Sequence, residues 1–449
     1  MKSEPTTLIN EDNNFLKKIN LILTENSVLR YVTFSVLYFA QGIPQGITLA
    51  AIPAWLAMNN KTPAEIGSFI AVMGIPWSFK ILIAPIMDRY TILSMGRKRP
   101  WVIFGQLGLI ISFLAIGFVP DPINNLKWLM IAGFFINFFG AFQDVATDGM
   151  AIDVVPIDEQ ARANGLMWGS ATIGYSLSLV IGTSLINILG FSTAIPFLAF
   201  AVAVIILAPI LFRERSGEKI MPWTQGEISE NSKKIQSHSW IEIFKNVFKV
   251  VILPTSLLMI IAVFYKGVLN NLVYTSFTIL TIQDLGWTNT SFSQITSISD
   301  VVAGIFGMFF GGFLVDRYGE KRMLTIYFSV FSLLLLCMGF FQNYWVNDTF
   351  IFVFYSLYTF LATFITISIL AGAMKLCWIT VAATQFTLYM AINNMGQAVG
   401  SGIVGTLKEH ISWANIFLLM AIPTFLIIVI IHFINFTKHI KTIQKFNIS

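Results

Sequence analysis

The chain has 449 residues, of which 56% are hydrophobic and 11% charged. Soluble domains carry roughly 25% charged residues, so a soluble globular fold is excluded. The net charge is +5, but the basic residues follow the loops between apolar runs. They report membrane topology and give no support to a nucleic-acid role.

Residues 1–28 are polar and mixed in charge, and they predict a cytoplasmic segment with no cleavable signal. Apolar runs near 20 residues then predict twelve transmembrane helices. Their approximate bounds are 29–58, 64–87, 101–119, 127–150, 162–188, 192–212, 251–282, 288–315, 322–342, 349–374, 379–406 and 411–436. The expected fold is all-α, with two pseudo-symmetric six-helix bundles at 29–212 and 251–436. A polar linker at 213–250 joins them, and residues 437–449 form a tail. With both termini inside, 22 of the 28 Lys and Arg fall in inner loops, so the topology obeys the positive-inside rule. Pro44, Pro53, Pro76 and Pro254 predict bends. Glycine pairs such as Gly42 and Gly46, or Gly396 and Gly400, predict close helix contacts.

One fingerprint occurs in each half. Asp88, Arg89 and Tyr90 precede Gly96, Arg97, Lys98 and Arg99, and Asp316, Arg317, Tyr318 and Gly319 precede Lys321 and Arg322. Each copy ends an apolar run and opens a short basic loop. Duplicated halves of this kind mark a transporter built from repeats. Asp88, Arg89, Gly96, Arg97, Arg99, Asp316, Arg317, Gly319, Lys321 and Arg322 are therefore candidate gating residues.

Charges inside a bilayer cost a few kcal/mol or more, so they mark partners or tasks. Span 4 carries Asp144, Asp148 and Asp153. The first two are four residues apart and share a helix face. Two like-charged carboxylates at membrane depth suit a proton carrier. Asp153, near the inner face, reads as a structural partner for Arg89, Arg97 or Arg99. Lys80 in span 2 sits roughly 12 Å from Asp88, level with Asp144, as a fixed clamp or a switch. In span 7, Lys266, Asn270 and Tyr274 follow at intervals of four. A mid-span lysine there suits an anionic substrate group, unless Asp300 of span 8 or a span 4 carboxylate neutralises it. Gln41 and Gln45 of span 1, and Gln385, Tyr389 and Asn393 of span 11, form stripes that bind solutes or glue helices.

Two cysteines and four scattered histidines give no disulfide framework and no metal site. No phosphate-binding loop of the Gly-x-x-x-x-Gly-Lys type is present, so ATP is not expected as the direct energy source, and no cofactor is implied.

The Asp-Arg loops resemble those of the major facilitator superfamily. Several stretches also resemble its AmpG-like branch of muropeptide permeases and acetyl-CoA transporters. They are Tyr38 to Gly46, Phe79-Lys80 leading to Asp88-Arg89-Tyr90, Gln143-Asp144 with Asp148, Tyr265-Lys266, and Ala383-Thr384-Gln385-Phe386. The resemblance covers nearly all twelve spans. It implies a secondary transporter in the bacterial inner membrane, importing anhydromuropeptides with protons and working as a monomer among lipids. Acetyl-CoA or another anionic conjugate, export of amphipathic compounds, and a non-transporting sensor stay as alternatives. A membrane enzyme is not expected, because no nucleophile–base pair is found.

Overall fold

A computed structural model describes residues 21–90, 92–156, 160–228, 240–378 and 381–446. The side chains of Asp88, Arg89 and Asp316 lie outside the described set. Among the described residues the regular secondary structure is all helix, apart from one isolated bridge between Ile22 and Arg213.

The first helices are α1 (Ser27–Gly46), α2 (Ile52–Met58), α3 (Pro63–Ser78), α4 (Lys80–Arg89), α5 (Arg99–Ile116), α6 (Leu126–Val154), α7 (Gln160–Leu189), α8 (Phe191–Ile205) and α9 (Leu207–Leu211). After the linker come α10 (Trp240–Val251), α11 (Pro254–Ile279), α12 (Asn289–Phe306), α13 (Gly312–Tyr318), α14 (Glu320–Phe340) and α15 (Asp348–Lys375). The chain closes with α16 (Ala382–Gly402), α17 (Val404–His410), α18 (Trp413–Phe433) and α19 (Phe436–Phe446).

Ten of the helical stretches are long and apolar enough to cross a membrane. The predicted span at 29–58 and the described part of that at 379–406 are largely helical too, but they fall outside those ten. They carry the amide and glycine stripes, and these dilute their hydropathy. A helix that faces other helices or an internal cavity has no need of an apolar circumference.

Local sequence sets the helix ends. Thr62 and Glu65 form a capping box at the start of α3. Asn26, Thr288, Asn347 and Ser412 each accept a backbone N–H at the head of a helix. The helix beginning at Pro63 contains Pro76, which has no N–H to donate, and ends at Ser78. Phe79 N–H turns back to the Pro76 carbonyl, and α4 restarts at Lys80. Three helices contain a π turn, at Ile47–Ala51, Leu280–Asp284 and Gly307–Gly311. Such turns insert one residue and re-aim the side chains beyond them.

Helix α1 packs on α7, and α11 on α16. Helix α3 crosses to α16, and α7 to α12. The α11–α16 contact is close because of glycine. A Cβ on Gly267 would lie 2.1 Å from the Asn393 carbonyl, and one on Gly396 would lie 2.2 Å from the Phe264 carbonyl. Across the seam between the early and late helices, Asn394 donates to the Trp77 carbonyl at 3.0 Å and Ser297 to the Ser176 carbonyl at 3.2 Å. At the end remote from the linker, Gln283 donates to the carbonyls of Ala57 and Lys61 at 3.2 and 2.7 Å. There Asn187 and Asn289 also exchange amide hydrogen bonds at 2.9 Å. Large apolar side chains such as Ile188, Phe200 and Phe313 project outward, as a lipid-facing surface requires.

Candidate functional site

Two polar regions lie within this scaffold. The first joins α1, α4 and α6. The break after Ser78 brings Lys80 out at the head of α4, with its ammonium 4.5 Å from the centre of the Trp77 ring. That ammonium donates to Asp144 Oδ2, while Gln41 donates to Oδ1 of the same carboxylate. One turn on, Tyr38 donates its hydroxyl to Asp148. Asp144 is 3% exposed, whereas Asp148 is exposed. Both acids thus have donors from neighbouring helices, one in a closed pocket and one open. Toward the remote end the seam continues. Asn137 accepts from Trp77 Nε1 and donates to Thr48 Oγ1, both at 2.9 Å.

The second region is a cavity of about 270 Å³. Helices α12 and α15 and the Asn270–Tyr274 stretch of α11 form most of its wall, with Tyr175, Leu49 and Ile70 from the earlier helices. Asp300 Oδ1 accepts from Thr359 at 2.6 Å and Tyr355 at 3.4 Å. Tyr358 donates to Asn270, and Tyr175 to the Tyr274 hydroxyl. Asn270 and Tyr274 line the cavity. Lys266 precedes Asn270 by four residues on the same helix face and is 8% exposed. No hydrogen bond or ion pair holds its ammonium among the described residues, so neither Asp300 nor a span 4 carboxylate neutralises it. Each of those carboxylates has other partners.

The other sequence candidates are spread more widely. Gln45 is half-buried, and among the described residues the Asn393 side chain donates to Asn394 alone, at 3.4 Å. Gln385 and Tyr389 are not among the residues lining the cavity. Gln385 is fully buried, accepting from Trp378 N–H at 2.9 Å and donating to the Leu376 carbonyl at 3.1 Å. Tyr389 packs beside it, 3.4 Å from its amide. The pair ties down the turn between α15 and α16.

At the linker end, Arg97 Nη1 donates to both Asp153 oxygens at 2.8 and 2.9 Å. Arg99 is fully buried and donates to the carbonyls of Met95, Pro209, Ile210, Lys219 and Ile220. Sequence reasoning missed the centre of this cluster, Glu214. Its carboxylate accepts the N–H groups of Arg97, Lys98 and Arg99 at 2.6 to 2.9 Å, which caps the start of α5. Gly96 has φ +108°, and a Cβ there would lie 2.7 Å from the Glu214 carboxyl carbon. Glycine is thus required both by backbone angle and by space. In the second loop, Gly319 has φ +84°. Lys321 donates to the carbonyls of His432 and Ile434, at the end of α18. Arg317 and Arg322 lie near the Tyr318 ring, at 5.7 and 5.9 Å.

Membrane-crossing helices that enclose a polar cavity, with an ion pair sunk among them, define a solute transporter. The profile of the Major Facilitator Superfamily matches residues 34–386 and again 280–445. The chain belongs to that superfamily. The "Anhydromuropeptide permease" of Escherichia coli K12 is 25% identical over 399 residues, which cover 85% of this chain and 75% of the permease. The "Putative transporter AmpG 3" of Rickettsia prowazekii is 25% identical over 432 residues, covering 89% of this chain and 96% of the relative. Among solved structures, the nucleoside transporter NupG superposes with a TM-score of 0.68 at 15% identity, covering 90% of this chain and 98% of its own. A POT family transporter, solved with a conjugated peptide, gives 0.67 at 15% identity, covering 89% and 95%. These two show the fold. The chain is a multi-pass membrane transporter and not an enzyme.

Proposed function

We propose that this protein is a proton-coupled secondary transporter of the bacterial inner membrane, both termini cytoplasmic, that imports anhydromuropeptides. The observation that carries the coupling is the Lys80–Asp144 pair, with Asp148 exposed one turn away. A proton arriving on Asp148 or Asp144 weakens its hold on the α1 and α4 donors. It thereby couples protonation to movement of those helices against α6. Lys266 meets an anionic part of the cargo, because it is a mid-helix cation with no partner among the described residues. Asn270 and Tyr274 extend that contact into the cavity. The loops around Asp88 and Asp316 gate the cytoplasmic end as the halves 29–212 and 251–436 rock about the central seam. The cargo assignment is supported by the permease relative and by a wall rich in amide, phenol and hydroxyl groups, which suits a glycopeptide.

The test is uphill uptake and counterflow of a labelled anhydromuropeptide in proteoliposomes, compared side by side. Asp144→Asn and Asp148→Asn are expected to lose accumulation driven by a pH gradient. At least one should keep downhill counterflow, since a permanently neutral site still lets the loaded carrier turn over. Full accumulation by both variants removes the coupling assignment. Uptake of an acetyl-CoA analogue in place of the glycopeptide removes the cargo assignment alone.

A further inference from the structure

We propose that Asp300 and the tyrosines around it form a subsite for a primary ammonium group of the cargo. The inference rests on the reading of this cavity as the cargo site. Three observations carry it. First, Asp300 is the charged residue among those lining the cavity; the rest of the described lining is tyrosine, asparagine, threonine and apolar side chains. The wall therefore holds a negative charge with no positive side chain to balance it. Second, the carboxylate is fixed on one side only. Oδ1 is held by Thr359 and Tyr355, and no donor among the described residues reaches Oδ2. A carboxylate uses both oxygens when it can, so the open one is directed to a ligand or water. Third, the surroundings are aromatic. Tyr175, Tyr274, Tyr355 and Tyr358 all line the same space, and Tyr355 and Tyr358 stand 5.6 Å apart at 55°. Their hydroxyls are largely engaged with one another, with Asn270 or with Asp300, which leaves ring surface to face the occupant. Ring faces beside a carboxylate favour an organic cation over a neutral hydroxyl.

Together with Lys266, this makes the recognised cargo a zwitterion. Its anionic end meets the α11 lysine, and its ammonium enters the Asp300 subsite. A glycopeptide ending in a diamino acid has that charge pattern, whereas a bare sugar or an anionic conjugate lacks the amine.

The experiment measures binding of two probes to purified full-length protein. One is an anhydromuramyl tripeptide ending in a diamino acid with its side-chain amine free. The other is the same compound with that amine acetylated. The wild type is expected to prefer the free amine at least tenfold. Asp300→Asn should bind the two alike, and Asp300→Glu, which keeps the charge, should retain the preference. A preference unchanged in Asp300→Asn, or an equal loss for both probes, overturns the subsite. If neither probe binds the wild type, the cargo reading has failed, and benzylammonium chloride decides the subsite by itself. A concentration-dependent rise in melting temperature, absent in Asp300→Asn, then supports it. No rise, an equal rise in both proteins, or a rise produced by sodium chloride and not by benzylammonium overturns it.

Discussion

The two polar regions differ in how their charges are matched. Around α6 the charges are paired: Lys80 at the head of α4 faces Asp144, and Arg97 in the loop before α5 faces Asp153. Around the cavity the charges stand apart. Among the described residues Lys266 has no partner, and Asp300 leans on hydroxyls with one oxygen open. Matched charges hold helices together and release them when one charge is neutralised. Unmatched charges are a standing cost in stability, which a ligand of opposite charge removes. The first region therefore suits coupling and the second recognition.

The sharpest way to break this contrast is to delete one lysine from each region. Lys80→Met strands Asp144 and should destabilise the protein by about 3–5 kcal/mol. Adding Asp144→Asn should restore much of that loss. Thermal unfolding in detergent measures both, and additive losses would show that the pair is not coupled. Lys266→Met should leave stability unchanged or raise it, while weakening glycopeptide binding tenfold or more. A large fall in melting temperature there would mean that Lys266 has a structural partner, and the contrast would collapse.

A smaller effect is expected at the linker end. Gly96→Ala forces a side chain into positive φ and against Glu214, at a cost of about 1–2 kcal/mol. Glu214→Ala should mimic it, and the double variant should cost little more than either single one. The smallest effect concerns pH. Glu218 is buried beside Glu214, and both burial and that carboxylate push it up to about 7 from an ordinary 4.5. The docked linker thus binds the extra proton between these values. Docking is strongest below about pH 4.5 and weakens as pH rises through about 7. Limited proteolysis within 213–228 should accelerate as pH rises from about 4.5 to about 7 and then level off, and Glu218→Gln should abolish that dependence. A pH-independent cleavage rate in the wild type would remove Glu218 from the docking contact.

Much of the fold was legible because apolar length is a local signal. The stretches at 29–58 and 379–406 are the instructive ones. Their glycines and amides lower hydropathy, yet the same residues allow the tight α1–α7 and α11–α16 contacts. Lys80 and Asp144 were matched by depth, counted from the ends of their spans. The sequence presents Asp300 only as a counter-ion for Lys266, and the cavity it lines is not legible there. Tyr355, Thr359 and Thr363 recur at intervals of four in α15, a stripe as plain as that of Gln385, Tyr389 and Asn393. The latter stripe overran its helix face, since its first two members brace a turn. Glu214 had no local signal at all. It acts 115 to 117 residues away, on backbone N–H groups that belong to no residue type.

The seam at the end remote from the linker carries its own consequence. Gln283 closes it by reaching the main-chain carbonyls of Ala57 and Lys61. The accepting side of this latch is written in backbone, so no substitution at residue 57 or 61 can erase the acceptor atoms. Only the donor is open to loss by a single codon change. Drift in the loop between α2 and α3 is therefore buffered, while drift at position 283 acts directly on how readily the closed state opens. Each bond of this kind is worth about 1 kcal/mol, little enough to be broken and remade at every turn of the carrier.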